Sequence, residues 1–146
     1  MLERFQGREG RAALLNALRN QFLVDGSAEI AELFASASQV QEYSPGSPVF
    51  TQGERGSYLV FILAGEVSVQ VDGQEVATVR AGMHVGEVAL LEPFQGRSAT
   101  VKARDTVVAA QISGQKFGDV AKHHPELWRR IAIELSRRLV KTQLKG

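Results

Sequence analysis

The sequence lacks cysteine and has few histidines. None of its 146 residues is cysteine and three are histidine. The absence of cysteine excludes disulfides, thiolate zinc sites and a cysteine nucleophile, and it suits a reducing compartment, so we expect a cytoplasmic protein.

A cupin-type metal enzyme is a remote alternative, since "HVGE" places His84 near Glu87. Such a site needs three or four converging ligands, whereas His123 and His124 are helical neighbours that cannot face one ion. We therefore expect no metal and no cofactor.

An excess of charge of one sign is also missing, as is a long hydrophobic run. Lys and Arg number 17 and Asp and Glu 16, which leaves a net charge of +1. This balance gives no argument for binding nucleic acid or an anionic membrane. The longest strongly apolar run, "LVFILA" at 59–64, is far shorter than the roughly 20 residues that span a bilayer. The first residues lack a signal-peptide core. The length predicts a single domain, 1–146.

Apolar residues recur at helical spacing at both ends of the chain. Residues 1–42 are predicted to form a helical N-terminal subdomain, with one helix over 11–22 that includes Phe22 and a second that begins after Ser27 as its N-cap. Residues 114–146 are predicted to form two C-terminal helices. In the last of these, an apolar stripe that includes Trp128 is expected to pack, while charged residues such as Arg130 and Glu134 are expected to lie off the stripe.

Between these ends, residues 43–113 follow the two-residue period of β-strands. "EVSVQVD" (66–72) alternates valine with polar residues, and Asp72-Gly73 then predicts a type I′ hairpin turn because glycine tolerates positive φ. Glycines punctuate further short strands at spacings typical of a small sandwich or barrel. The fold class is therefore predicted to be α+β and mainly β, with a β-roll flanked by helices.

The stretch "GEVALLEPFQGRSATV", 86–101, combines the residue types of an anion site. Gly86 allows close approach of the backbone, and the turn that follows it presents N–H groups at a helix start. Arg97 can hold two phosphate oxygens with its planar fork. Glu87 is unfavourable beside an anion unless it accepts a hydrogen bond from a sugar hydroxyl, as acids do in dinucleotide sites. The set predicts a ribose phosphate site and contains no apparatus for a reaction.

This run resembles the phosphate-binding cassette of the cyclic nucleotide-binding domains, in which G-E-x-A-L precedes R-[SA]-A-[TS]-[VI] at similar spacing. The resemblance implies an eight-stranded β jelly roll and a domain that binds a cyclic nucleotide without acting as an enzyme. It also implies that seven residues bind the ligand: Gly86, Glu87, Val88, Ala89, Arg97, Ser98 and Ala99. Glu87 would meet the ribose 2′-OH, Arg97 and Ser98 the phosphate, and Gly86, Val88 and Ala89 would offer backbone groups. Gly96 stands where many members have proline, with Pro93 coming earlier, so we expect a looser loop there.

The C-terminal helices of this family cover the base, so Arg137 and Arg138 are candidates for contacting it, although their simplest interpretation is a solvated face. The long last helix also leaves open a homodimer or higher assembly. A DNA-binding regulator of the catabolite-activator type would need a helix-turn-helix after the long C-terminal helix, and the residues after 112 supply only the hinge helices. Sensors of channels and kinases that bind cAMP or cGMP remain alternatives.

The opening "RFQGREGRAALLNAL" and the ending "HHPELWRRIAIELSRRL" are similar to the N-terminal sensors of Pycsar TIR effectors. That resemblance implies a pyrimidine cyclic nucleotide ligand, cUMP or cCMP, and a longer effector in which binding activates a TIR domain. Such a TIR domain would hydrolyse NAD in antiphage defence. In this interpretation the ligand draws Arg97 and the cassette inward, and the C-terminal helices rearrange over the base.

Overall fold

Residues 1–92 and 94–145 are described by a computed structural model of the chain. Pro93 and Gly146, which the sequence places in the cassette and at the end of the C-terminal segment, lie outside the described residues. A 3-10 turn (Leu2–Phe5) precedes five α-helices: α1 (Gly7–Arg19), α2 (Ala28–Ala37), α3 (Val88–Leu91), α4 (Gly114–His123) and α5 (Glu126–Lys145). The strands are β1 (Gln39–Tyr43), β2 (Pro48–Phe50), β3 (Tyr58–Ala64), β4 (Glu66–Val71), β5 (Gln74–Arg80), β6 (His84–Val85), β7 (Thr100–Ala103) and β8 (Val107–Ser113).

Within the described residues, the eight strands form two four-stranded antiparallel sheets. The strand order is β1-β8-β3-β6 in the first sheet and β2-β7-β4-β5 in the second. The predicted jelly roll with helices at both ends is therefore confirmed. The Asp72-Gly73 turn is confirmed as well, since it joins the paired strands β4 and β5 and both of its residues have positive φ.

Strand β3 carries the apolar run "LVFILA" because it is buried on both faces. Leu59 and Phe61 belong to a core between the first sheet and the helices, whereas Val60 and Ile62 belong to a second core between the two sheets. Alternate residues of a strand point to opposite faces, so the sequence of a strand with two covered faces is continuously apolar. β3 is thus the shared wall of the helical and β halves of the molecule.

The helices pack on the outer face of the first sheet through a chain of aromatic rings. Phe34 of α2 lies 5.1 Å from Phe61 of β3 and 5.7 Å from Phe117 of α4, measured between ring centroids. Phe117 meets the ring of Trp128 edge-on at 5.2 Å. Trp128 is 38% exposed and anchors the start of α5 to α4. The predicted packing role of this tryptophan agrees with that contact.

Two of the predicted boundaries differ from the structure. The prediction of a helix over 11–22 is wrong at its end: α1 stops at Arg19, and the N–H of Phe22 instead donates to the carbonyl of Gly82 at 3.0 Å. The first strand begins at Gln39, four residues before the predicted start of the β region at 43. Ser27 does cap α2, since its hydroxyl accepts from the N–H of Ile30 at 3.1 Å. None of the helices in the described part of the chain is long and apolar enough to cross a membrane.

Candidate functional site

A cavity of about 890 Å³ lies between the second sheet, the 86–99 segment and α5. Its walls include Phe50, strands β4 and β5, and residues 134–141 of α5. All nine residues that the sequence singled out line it: Gly86, Glu87, Val88, Ala89, Arg97, Ser98, Ala99, Arg137 and Arg138. The structure therefore brings the cassette and the C-terminal helix to one concave surface, as a ligand site requires.

Gly86 allows the cassette to turn next to the Arg97 side chain. Its φ is +90°, a conformation that residues with a Cβ rarely adopt. A Cβ at this position would also lie 2.8 Å from both the Arg97 Nη1 and the Tyr58 carbonyl oxygen. Glycine is therefore required by conformation and by space. Beyond it, the Ala89 N–H donates to the Gly86 carbonyl at 3.1 Å, so this predicted backbone donor is already engaged inside the turn.

Arg97 is buried in the cavity wall, with 8% of its surface exposed. Its guanidinium lies over the ring of Phe50, 4.1 Å from the centroid, and its Nη1 donates to the Tyr58 carbonyl at 3.0 Å. Burial lowers the pKa of this guanidinium, although the charge of Glu54 opposes the shift. The hydrogen bond to Tyr58 uses one of the five N–H donors of arginine, so the remaining donors can serve an anion in the cavity.

The backbone around Arg97 is held more firmly than the sequence suggested. The Arg97 N–H donates to the Glu54 carbonyl at 2.7 Å, and its carbonyl accepts from the Gly53 N–H at 2.8 Å. A Cβ at Gly96 would lie 2.6 Å from the Gly53 carbonyl oxygen. The expectation of a looser loop at Gly96 is therefore wrong on the Arg97 side, because glycine at 96 lets the two backbones pair closely.

Glu87 is almost fully buried, at 2% exposure, and is paired with the C-terminal helix. Its Oε1 accepts from the Nη1 of Arg138, while Nη2 of Arg138 contacts Glu134 one turn earlier in α5. The other oxygen of Glu87, Oε2, is buried and has no hydrogen-bond partner among the described residues. Arg138 is therefore tied to the carboxylate predicted to meet the ribose.

The inward face of α5 is more polar than predicted. Arg130 donates to the Leu23 carbonyl at 2.7 Å, and Glu134 is only 6% exposed. With Arg138 they form a row at four-residue spacing, which places them on one side of the helix. The prediction that Arg130 and Glu134 lie off the packing face is wrong, because Arg130 reaches the Leu23 carbonyl and Glu134 is buried against His84 of β6. Arg138 has a 45% exposed side chain, which agrees with its predicted position on a solvated face. Arg137 instead lies over the ring of Phe22, 5.7 Å from its centroid.

The charges that line the cavity have a positive excess. Five of the lining side chains are cationic and three are anionic: Arg80, Arg97, Arg137, Arg138 and Lys141 against Glu87, Glu92 and Glu134. The apolar parts of the wall strengthen the positive potential in the cavity, and this potential attracts small anions. No group of three or more His, Cys, Asp or Glu side chains that could hold a metal ion occurs among residues 1–92 and 94–145.

Sequence reasoning missed three side chains that shape this site, namely Phe50, His84 and Glu134. Phe50 supports Arg97, and His84, fully buried, has its Nε2 2.5 Å from an oxygen of Glu134. The position of His84, three residues before Glu87, signalled proximity to the cassette. Nothing in the local pattern pointed to its partner on α5, fifty residues further along the chain.

Comparisons with known proteins agree with this geometry. Residues 40–124 match the sequence profile of the family described as "Cyclic nucleotide-binding domain". The Pycsar effector protein XpPycTIR of Xanthomonas perforans is 40% identical over 139 residues, covering 95% of this chain and 46% of that protein. The Pycsar effector protein PaPycTIR of Pseudomonas aeruginosa is 35% identical over 139 residues, covering 95% of this chain and 45% of that protein.

A solved structure, the catabolite activator protein of Thermus thermophilus, superposes with a TM-score of 0.76 at 27% identity, over 86% of this chain and 61% of that one. The chain spans about half the length of the Pycsar relatives it matches. On the family match, the shared fold and the cassette that lines the cavity, the chain belongs to the cyclic nucleotide-binding domain family.

Proposed function

We propose that this domain is a sensor that binds a pyrimidine 3′,5′-cyclic nucleotide, cUMP or cCMP, and that binding activates a TIR domain carried by the full gene product. The observation that carries the proposal is the meeting of Glu87, Arg97 and the end of α5 around one cavity. The similarity to two Pycsar effector proteins over 95% of the chain supports the choice of a pyrimidine nucleotide.

In this proposal Arg97 is the phosphate ligand. Its guanidinium is already oriented by Phe50 and Tyr58, so little side-chain freedom is lost when an anion arrives. A phosphate oxygen would also offset the cost of keeping this cation out of water. Ser98 stands next to it in the cavity wall and supplies a hydroxyl and an N–H of the kind that bind phosphate.

Glu87 is the proposed ribose ligand. The ribose 2′-OH would donate to Oε1, the oxygen that Arg138 also contacts, because Oε2 is buried on the side of His84. The base would lie toward Arg137 and Lys141, which also line the cavity. A bound nucleotide would then contact α5, the helix that precedes the proposed TIR domain.

The ligand is tested by isothermal titration of the purified domain with cUMP, cCMP, cAMP and cGMP. We expect the tightest binding from cUMP or cCMP, since the domain is proposed to select pyrimidines. Tighter binding of cAMP or cGMP would contradict the pyrimidine proposal while leaving cyclic nucleotide binding intact.

The activation step is tested on the full gene product by following NAD consumption with and without the nucleotide that binds best. We expect NAD loss only when that nucleotide is present. Unchanged NAD in both samples would contradict the proposed TIR activity.

A further inference from the structure

A buried polar cluster connects β6, the cassette and α5. His84 has no exposed surface, and the side chain of Glu134 is 8% exposed. The Nε2 of His84 lies 2.5 Å from Oε2 of Glu134 and 3.9 Å from Oε2 of Glu87. Two carboxylates thus approach one imidazole in a region from which water is excluded.

Arg138 completes the cluster from the cavity side. Its guanidinium bridges Glu87 and Glu134, and its side chain is 45% exposed, so it lies between the buried cluster and the open cavity. A buried carboxylate without a cation nearby is strongly unfavourable, and Arg138 is a cation in contact with both carboxylates.

Glu134 in turn fixes the position of Arg138. An arginine side chain has several rotatable bonds, and holding it in one geometry costs conformational entropy. The contact with Glu134, one helical turn earlier, orients the guanidinium, and His84 holds Glu134 from the opposite side. Burial by itself would raise the pKa of Glu134, but its contacts with His84 and Arg138 outweigh that effect and lower it. Glu134 is therefore an anion that can anchor Arg138.

We propose that Glu134 and His84 are positioning residues of the nucleotide site: they hold Arg138 on Glu87 and so place the Glu87 carboxylate for the ribose hydroxyl. This inference rests on the proposed function, because it assumes that Glu87 meets the ribose. It adds that ribose recognition requires α5 to be docked, since two of the residues that orient Glu87 belong to that helix.

The test compares ligand pairs that differ only in the 2′-hydroxyl. Affinities for cUMP and 2′-deoxy-cUMP, and for cAMP and 2′-deoxy-cAMP, are measured by calorimetry on the wild-type domain and on Glu134→Gln. We expect the preference for the ribose form to fall about tenfold in Glu134→Gln, the size of one charge-assisted hydrogen bond. The deoxy ligands should bind the variant nearly as well as they bind the wild type. Glu126→Gln is the matched control, because Glu126 lies on the same helix but contacts His124.

A merely structural role for Glu134 would weaken ribose and deoxyribose ligands equally, so an unchanged preference would overturn the proposal. Should Glu134→Gln fail to fold, Arg138→Lys provides the same test at a half-exposed side chain, because lysine keeps the charge but cannot bridge two carboxylates as a fork. In a Glu87→Gln background we expect either substitution to have no further effect on the preference, and a full additional effect would also contradict the proposal. If the wild type binds none of these nucleotides, the proposed function itself fails, which is a different result from normal binding with an unchanged ribose preference.

Discussion

At the scale of single residues, the site depends on how Arg97 is held. The side chain lies against Phe50 and donates to the Tyr58 carbonyl, and a Cβ on Gly56 would come within 2.9 Å of Nη2. The aromatic ring and the backbones of Gly56 and Gly86 thus pack closely around the guanidinium. These contacts hold Arg97, with 8% of its surface exposed, in the cavity wall, as the proposed role in binding an anion requires.

Replacing Arg97 tests this residue directly. Arg97→Gln is expected to weaken cyclic nucleotide binding roughly tenfold to a hundredfold, since a charge-assisted hydrogen bond contributes about 1.5–3 kcal/mol. The loss is measured by calorimetry. The control is Arg104→Gln, which removes an arginine that pairs with Glu75 and does not line the cavity. Equal affinities for Arg97→Gln and the wild type would remove Arg97 from the site.

The conformation of Gly86 leads to a separate prediction about the free energy of unfolding. Gly86→Ala is expected to lower the free energy of unfolding by about 1–3 kcal/mol, because alanine is strained at φ +90° and its Cβ would meet Arg97 and Tyr58. Urea denaturation measures the change. Gly118→Ala is the matched control: Gly118 lies inside α4, and a Cβ added there would have nothing within 4 Å, so we expect a gain of about 0.5–1 kcal/mol. A neutral Gly86→Ala would contradict the close approach described for the cassette.

At the scale of elements, α5 is attached to three other parts of the fold. Its apolar residues Leu127 and Ile131 are buried in the helical core, and Glu134 reaches His84 of β6. Arg130 and Arg138 contact the Leu23 carbonyl and the cassette. Around Glu134 and Arg138 the helix is therefore held by polar contacts, which depend on protonation more than apolar packing does.

The lowered pKa of Glu134 predicts how this attachment responds to acid. A group whose pKa is lower in the folded state stabilises the fold above its unfolded value, here 4.5, and that stabilisation is lost as the pH falls through the folded pKa. Below pH 4.5 the wild type is therefore expected to lose more of its free energy of unfolding than Glu134→Gln does. Trp128, the single tryptophan, provides the fluorescence signal because it lies at the start of α5 against Phe117. Parallel pH profiles for the two proteins would contradict the role of Glu134.

The helices and strands also show which structural features could be predicted from the sequence and which could not. Alternation in 66–72 and the Asp72-Gly73 pair predicted a hairpin correctly, because both signals are local. The inward orientation of Glu134 was missed because its partner, His84, is distant in the sequence, and an isolated glutamate on a helix is usually solvated. Phe22 was placed in a helix because its spacing fits that period, whereas its backbone pairs with Gly82 beyond the helix end. Local periodicity therefore predicted the helices and strands. Contacts between residues distant in the sequence set the end of α1 and the orientation of Glu134.

At the scale of the whole molecule, the two faces of β3 belong to two different cores. One face supports the helical core, and the other belongs to the core between the sheets, beside which the cavity lies. The cassette and α5 meet at the edge where these halves join. A ligand at this edge contacts both halves, so its differential affinity for arrangements of α5 can shift the population of conformations.

A crystal structure of the domain grown with cUMP would show directly whether the cavity is the nucleotide site. We expect the cyclic phosphate to lie within hydrogen-bond distance of Arg97 and Ser98, and the ribose 2′-OH to donate to the Glu87 carboxylate. Nucleotide bound elsewhere on the surface, or a nucleotide in the cavity with its phosphate turned away from Arg97, would contradict this expectation.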